Sequence, residues 1–144
     1  MTMPHFRLFS YQTSCPVLGL LMLLIALVSC EGNTRLEWSL ENQSSSELTV
    51  VHKSWDYAGL PPETRLVPAG TTMLLGANDV LGGQPNAWAP ASFIDTLFIY
   101  DDSGALSSKN WMETDAWVIR TEELNKVPAN WLHRYTLTVD DGDF

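Results

Sequence analysis

The chain has 144 residues, with 17 acidic side chains against 8 basic ones and a formal net charge of −9 at neutral pH. This acidic balance argues against a nucleic-acid ligand and against electrostatic attraction to anionic lipid head groups. The hydrophobic fraction of 45% is ordinary for a globular protein, which excludes a chain that is disordered throughout.

Residues 17–28 form an unbroken apolar run, and Arg7 is the only charged side chain before it. A helix needs about 20 apolar residues to cross a bilayer core of ~30 Å, so this run is too short to span comfortably. Its length is that of the hydrophobic region of a signal peptide. The run therefore predicts export of the chain.

The apolar run ends in Leu27-Val28-Ser29-Cys30, where aliphatic and small residues lead into a cysteine. This pattern resembles the lipobox of bacterial lipoproteins. The resemblance implies that diacylglycerol is attached to the Cys30 sulfur and that residues 1–29 are removed. The alternatives are a cleaved secretory peptide with an incidental cysteine and a retained signal anchor.

The residue after Cys30 bears on the membrane that receives the protein. In enteric lipoproteins an aspartate at this position favours retention in the inner membrane, and Glu31 does not match that signal. The resemblance therefore implies a lipid anchor in the outer membrane and leaves the facing side open.

Removal of residues 1–29 would also remove Cys15, and lipidation would occupy Cys30. No thiol would then remain for a disulfide, a zinc site or a nucleophile, so the exported domain must rely on its core. The remaining length fits one domain. We predict a signal peptide at residues 1–29, a lipidated tether at residues 30–34 and a β domain at residues 35–144.

Residues 35–40 and 47–53 alternate apolar and polar side chains, which is the period of a half-buried strand. The polar residues 42–46 between them predict a turn, so we expect an antiparallel hairpin. The side chains expected on the inner faces are Leu36, Trp38, Leu40, Leu48, Val50 and His52.

Further strands are predicted at residues 64–67, 71–75, 93–100, 105–108, 116–121 and 134–140. The segment 93–100 is apolar on both faces apart from Asp95 and Thr96, which predicts a central strand covered on both sides. Residues 121–124 look like the start of a helix capping box, and Pro128 would limit that helix to about two turns.

Seven or eight short strands without a long helix predict an all-β domain. The expected architecture is an antiparallel β-sandwich, immunoglobulin-like or of a related Greek-key type, and a small β-barrel is the alternative. The lipobox, the early hairpin, a strand ending in Asp101-Asp102-Ser103-Gly104 and the final Tyr-x-Leu-Thr-Val strand resemble small lipidated β-sandwich proteins of Gram-negative bacteria. Those proteins mostly lack an assigned activity, so the resemblance implies no functional residue besides Cys30.

Signals for catalysis or for a bound cofactor are missing from the sequence. There is no G-x-S-x-G motif, and Gly82-Gly83 lacks the lysine of a phosphate-binding loop. His52 and His133 are too isolated to predict a zinc site, and His52 is interpreted as structural. The aspartates at 101–102 and 140–143 predict turns rather than a calcium site. We therefore expect no enzymatic activity, metal or cofactor.

Tryptophan is the one residue type in excess, and all six tryptophans follow Cys30. Trp38 and Trp117 lie in predicted strands, where core packing explains them. Trp55, Trp88 and Trp111 lie in predicted loops. They either plug the open ends of the sandwich or form a platform for a ligand, and the plug is favoured because a small disulfide-free domain needs the burial.

Two functions are open at this point. The first is a membrane-anchored structural or interaction domain without enzymatic activity. The second is glycan or glycopeptide binding through Trp55, Trp88 and Trp111, with Asp56 and Asp79 as acidic neighbours. The expected partners are the membrane, through the lipid anchor, and a protein or glycan ligand. No nucleic acid is expected.

Overall fold

A computed structural model describes residues 31–54 and 59–144. These residues form seven strands in two sheets, and their helical segments are three short 3₁₀ turns, at Pro90–Ser92, Thr114–Ala116 and Asp141–Asp143. The strands are β1 (Asn33–Asn42), β2 (Leu48–Ser54), β3 (Glu63–Val67), β4 (Thr72–Leu81), β5 (Ile94–Tyr100), β6 (Trp117–Lys126) and β7 (Ala129–Val139).

The sheets have four and three strands, in the orders β4-β1-β7-β6 and β3-β2-β5. The prediction of an all-β sandwich is therefore confirmed. The alternative of a small barrel is wrong, because the two sheets do not close into one. Strand β1 begins at Asn33, two residues before the predicted start of the domain.

The core lies between the sheets and contains the inward-facing side chains of alternate positions. The predicted inner faces of the first two strands are confirmed, because all six side chains expected there, including His52, are buried. The same alternation in β7 buries Tyr135, Leu137 and Val139. Trp38 stacks on Tyr135 with 5.8 Å between the ring centroids, so the centre of the core is aromatic.

The predicted hairpin between the first two strands is wrong, because β1 and β2 belong to different sheets. The buried side chain of Asn42 explains the crossing. Its amide nitrogen donates to the carbonyl oxygens of Ser46 at 2.9 Å and Val67 at 2.8 Å, and its oxygen accepts from the backbone of Ser44. The chain thus folds around Asn42 and passes to the other sheet.

The pairing of β1 with β7 is parallel, whereas the other strand pairs within the sheets are antiparallel. The wholly antiparallel arrangement predicted for the sandwich therefore has one exception. Parallel neighbours need a long connection, and here the rest of the domain provides it.

Three further local predictions are wrong. Strand β5, predicted as a covered central strand, is an edge strand, and its Phe98 is exposed. Residues 105–108, predicted as a strand, contribute only the isolated bridge between Leu106 and Tyr100, so β5 has no strand partner on that side. Residues 121–124 lie in β6 instead of a helix. The hydroxyl of Thr121, expected to cap that helix, instead bonds Nδ1 of His133 in β7 at 2.8 Å. Pairing with β7 overrides the local capping signal.

Within the described residues, no helix has the length and hydrophobicity needed to cross a membrane.

Candidate functional site

A cleft of about 400 Å³ opens between the two sheets, on the side where edge strands β3 and β4 lie. Its walls come from the end of β2, from residues 60–62 before β3, and from the middle of β4. The volume is within the range of ligand-binding pockets in proteins, about 300–1,000 Å³.

The turn between β3 and β4 connects the edge strands of the two sheets. Gly70 has a φ of 70°, which a residue with a side chain rarely adopts, and its N–H donates to the carbonyl of Asn42 at 2.8 Å. The Thr71 hydroxyl closes the turn by donating to the Pro68 carbonyl at 2.7 Å. The turn carries the chain from one sheet to the other, so β3 and β4 are edge strands of different sheets.

The cleft combines apolar walls with charged side chains that form ion pairs. The apolar lining consists of Leu60, Pro61, Pro62, Leu74, Leu75 and Ala77. Lys53 and Arg65 also line the cleft, together with one carboxylate, that of Glu63. Arg65 lies 2.6 Å from Glu63 and lowers the pKa of that carboxyl, while Lys53 lies 3.5 Å from Asp95.

His52 is the buried polar group of the cleft. It is only 6% exposed, and its Nε2 has no hydrogen-bond partner among the described residues. Burial lowers the pKa of His52, as does nearby Arg65, while Glu63 acts in the opposite direction. The imidazole is therefore neutral near pH 7. Leaving such a buried group unpaired costs about 1–3 kcal/mol.

Both strands beside the cleft are edge strands. Strand β3 pairs only with β2, and β4 pairs only with β1, within the part of the chain that the structure describes. Each strand therefore has one row of backbone N–H and C=O groups without a strand partner. Such edges accept an added strand from another polypeptide.

Neither Trp88 nor Trp111, two of the tryptophans predicted as ligand-binding residues, lines this cleft. Trp88 is half-buried, with its ring centroid 5.9 Å from Phe93 and 6.3 Å from His133. Trp111 is also half-buried against the core, and its carbonyl accepts a 2.7 Å hydrogen bond from Trp117. No ring contact joins Trp88 to Trp111 in the described structure. Trp55 and Cys30 lie outside the described residues.

The predicted acidic turns use their carboxylates within the protein. Asp101 accepts from the Ser103 hydroxyl and the Ala105 backbone, and these bonds lower the pKa of Asp101, the Ser103 bond most. Asp140 and Asp143 form a reciprocal capping box. Over residues 31–54 and 59–144, no group of three or more His, Cys, Asp or Glu side chains is arranged to hold a metal ion.

Sequence reasoning missed the cleft because it depends on which strands form the edges of the two sheets. Pro61 and Pro62 predict only a loop, and Leu74 falls in a predicted short strand. Neither segment by itself indicates a binding site. The one local signal was the apolar segment Leu60-Pro61-Pro62, which is unusually hydrophobic for a loop.

Comparisons of the chain with protein-family models, curated proteins and solved structures gave no match.

Proposed function

We propose that this chain is an outer-membrane lipoprotein, anchored at Cys30, whose β-sandwich binds an extended polypeptide segment in the cleft and catalyses no reaction. The anchor is supported by the apolar run that ends in Leu27-Val28-Ser29-Cys30. The binding function is carried by one observation, the apolar cleft between two free strand edges.

A polypeptide ligand suits both the backbone and the side chains of this site. A segment paired with β3 or β4 would gain a row of main-chain hydrogen bonds, and its alternate side chains would enter the cleft. Leu60 and Leu74 would contact apolar side chains of the ligand.

Glycan recognition is the alternative proposal. Trp88 and Trp111 rest against the core with only part of each ring accessible, which supports a packing role more than a flat platform for a sugar. Glycan binding that depends on Trp55, Trp88 or Trp111 and is indifferent to the cleft would favour this alternative.

The anchor is tested by metabolic labelling with palmitate. We expect label in the wild-type chain and none in Cys30→Ser. Equal labelling of the two proteins, or a purified membrane form that still begins at Met1, would contradict the lipoprotein assignment.

The cleft is tested by selecting random peptides against the purified protein and measuring their affinity by fluorescence anisotropy. Leu74→Glu places a charge in the cleft, whereas Leu66→Glu changes an exposed leucine of β3 that does not line it. We expect selected peptides to lose at least tenfold in affinity for Leu74→Glu and less than twofold for Leu66→Glu. A selection without enrichment, or equal losses in both variants, would argue against peptide binding in the cleft.

A further inference from the structure

We propose that one end of the four-stranded sheet inserts exposed aliphatic side chains into the surface of the bilayer that carries the lipid anchor. This membrane-facing end consists of Gly32 and Asn33, the end of β4 at Leu81, and the tip of the β6–β7 hairpin, residues 124–129. The inference rests on the proposed anchor at Cys30, and it adds a second attachment that the folded domain itself makes.

Strand register brings these segments to the same end of the sheet. Asn33 of β1 lies opposite Leu81 of β4 on one side and opposite Asn130 of β7 on the other. In the hairpin, Lys126 lies opposite Ala129. With neighbouring strands about 4.8 Å apart, the four strand ends form a row about 15 Å wide.

The fold holds the chain firmly from Gly32 onward. The Gly32 carbonyl accepts a 2.8 Å hydrogen bond from the backbone of Gly82, and the Asn33 backbone donates to the side chain of Asn130 at 2.8 Å. A β-carbon at Gly32 or at Gly83 would collide with the backbone of Ala129. Residue 32 is therefore packed directly against the hairpin tip.

The proposed anchor is close to this end in sequence. Only Glu31 separates Gly32 from Cys30, and one residue adds at most about 3.8 Å to the length of a chain. A lipid on Cys30 would consequently bring the end of the sheet to the membrane without a spacer.

The side chains at this end suit shallow insertion. Leu81 is 81% exposed and Val127 is 77% exposed, and these are the most exposed large aliphatic side chains of the described residues. Leu124, in the irregular part of β6, is 53% exposed. Isolated exposed apolar residues need no explanation. Three such residues at the membrane-facing end, next to the proposed lipid anchor, indicate a membrane contact.

Charged residues limit the depth of insertion. Glu122 and Glu123 precede Leu124 in β6 and are exposed, while Lys126 lies within the tip. Carboxylates are costly in hydrocarbon, so only the aliphatic side chains at the tip would pass the level of the head groups. The contact depends on apolar burial, and a zwitterionic bilayer is sufficient for it.

The experiment uses the lipidated protein expressed from the full chain and reconstituted in phosphatidylcholine vesicles that carry a diazirine photolabel on their acyl chains. Mass spectrometry then locates the labelled residues. We expect peptides containing Leu81 and residues 124–127 to carry at least five times more label than peptides containing Leu66 and Met112. Leu66 and Met112 are 60% and 63% exposed and lie outside the membrane-facing end, so they report random collision with lipid.

Matched variants separate insertion from anchoring. Leu81→Ser with Val127→Ser should reduce labelling of residues 124–127 at least fivefold while the protein still sediments with the vesicles. Leu66→Ser with Met112→Ser should leave that labelling unchanged. Sedimentation with label spread equally over all four peptides would overturn insertion alone. A protein that does not sediment with the vesicles would overturn both the anchor and this inference.

Discussion

Trp38 is a large buried side chain of the core with two aromatic partners. It is 2% exposed, stacks on Tyr135 and meets the ring of Phe93 with a centroid distance of 5.1 Å. Its ring partners lie in β7, which pairs with β1, and in the segment before β5. Its core position was predictable from strand alternation, whereas its aromatic partners, which lie far away in sequence, were not.

Replacing Trp38 or Trp117 with alanine should cost about 3–5 kcal/mol, because each substitution leaves a large cavity. Against a total stability of roughly 5–15 kcal/mol, such variants would be largely unfolded or close to it. Denaturant titration followed by circular dichroism measures the loss. A change below about 1 kcal/mol in either variant would contradict the packing described for that residue.

The loop tryptophans should show smaller losses of stability. We expect Trp55→Ala, Trp88→Ala and Trp111→Ala each to cost at least about 1 kcal/mol, as plugs of the sandwich ends would. The same titration applies. Wild-type stability in all three variants would argue against the plug interpretation and favour an exposed ligand platform.

His52 should make stability depend on pH in a defined window. Its pKa in the folded protein lies below the ordinary value of 6.5, so the unfolded chain binds the proton first as the pH falls. Stability should therefore decrease as the pH falls from near 6.5 toward the lowered pKa, by at most about 1.4 kcal/mol per pH unit. Above that window His52 contributes no pH dependence.

The measurement is the free energy of unfolding of wild type and His52→Gln between pH 5 and pH 8. We expect the difference between the two curves to be constant above pH 7 and to change as the pH falls below 6.5. Parallel curves over the whole range would show that His52 does not titrate as its burial requires.

At the scale of elements, strand positions were more predictable than strand partners. Alternation identified the inner face of β1 and of β7 because that signal is local. The pairing of β1 with β7 and the crossing from β1 to β2 depend on contacts between distant residues. The cleft was unpredictable for the same reason, since it exists only because β3 and β4 are the edges of different sheets.

The crossing at Asn42 leads to a prediction for this connection. Asn42→Leu fills much of the same volume but leaves the carbonyl groups of Ser46 and Val67 without their donor. We expect a loss of about 1–3 kcal/mol, since unpaired buried polar groups are costly. Leu66→Ala, at an exposed position of β3, is the control and should change stability by about 0.5 kcal/mol or less. Similar losses in both variants would argue against a special role for Asn42.

For the whole molecule, residues 31–144 form one compact unit that contains no cysteine. We expect its melting temperature to be the same with and without reductant, because no disulfide can form within it.

The melting temperature of this unit should also be unchanged by EDTA. A metal present at 100 times its Kd would stabilise the protein by about 2.7 kcal/mol, so a loss of several degrees with EDTA would reveal a calcium site.

The parallel pair of β1 and β7 imposes an order of events on folding. Asn33 and Asn130 are hydrogen-bonded neighbours separated by 97 positions in the sequence. Strand β1 therefore cannot complete its pairing until β7, the last strand of the chain, is available. Contacts so distant in sequence make folding slow, because a long loop must close before they contribute. A chain that crosses a membrane from its N-terminus would thus stay unfolded until nearly all of it has passed.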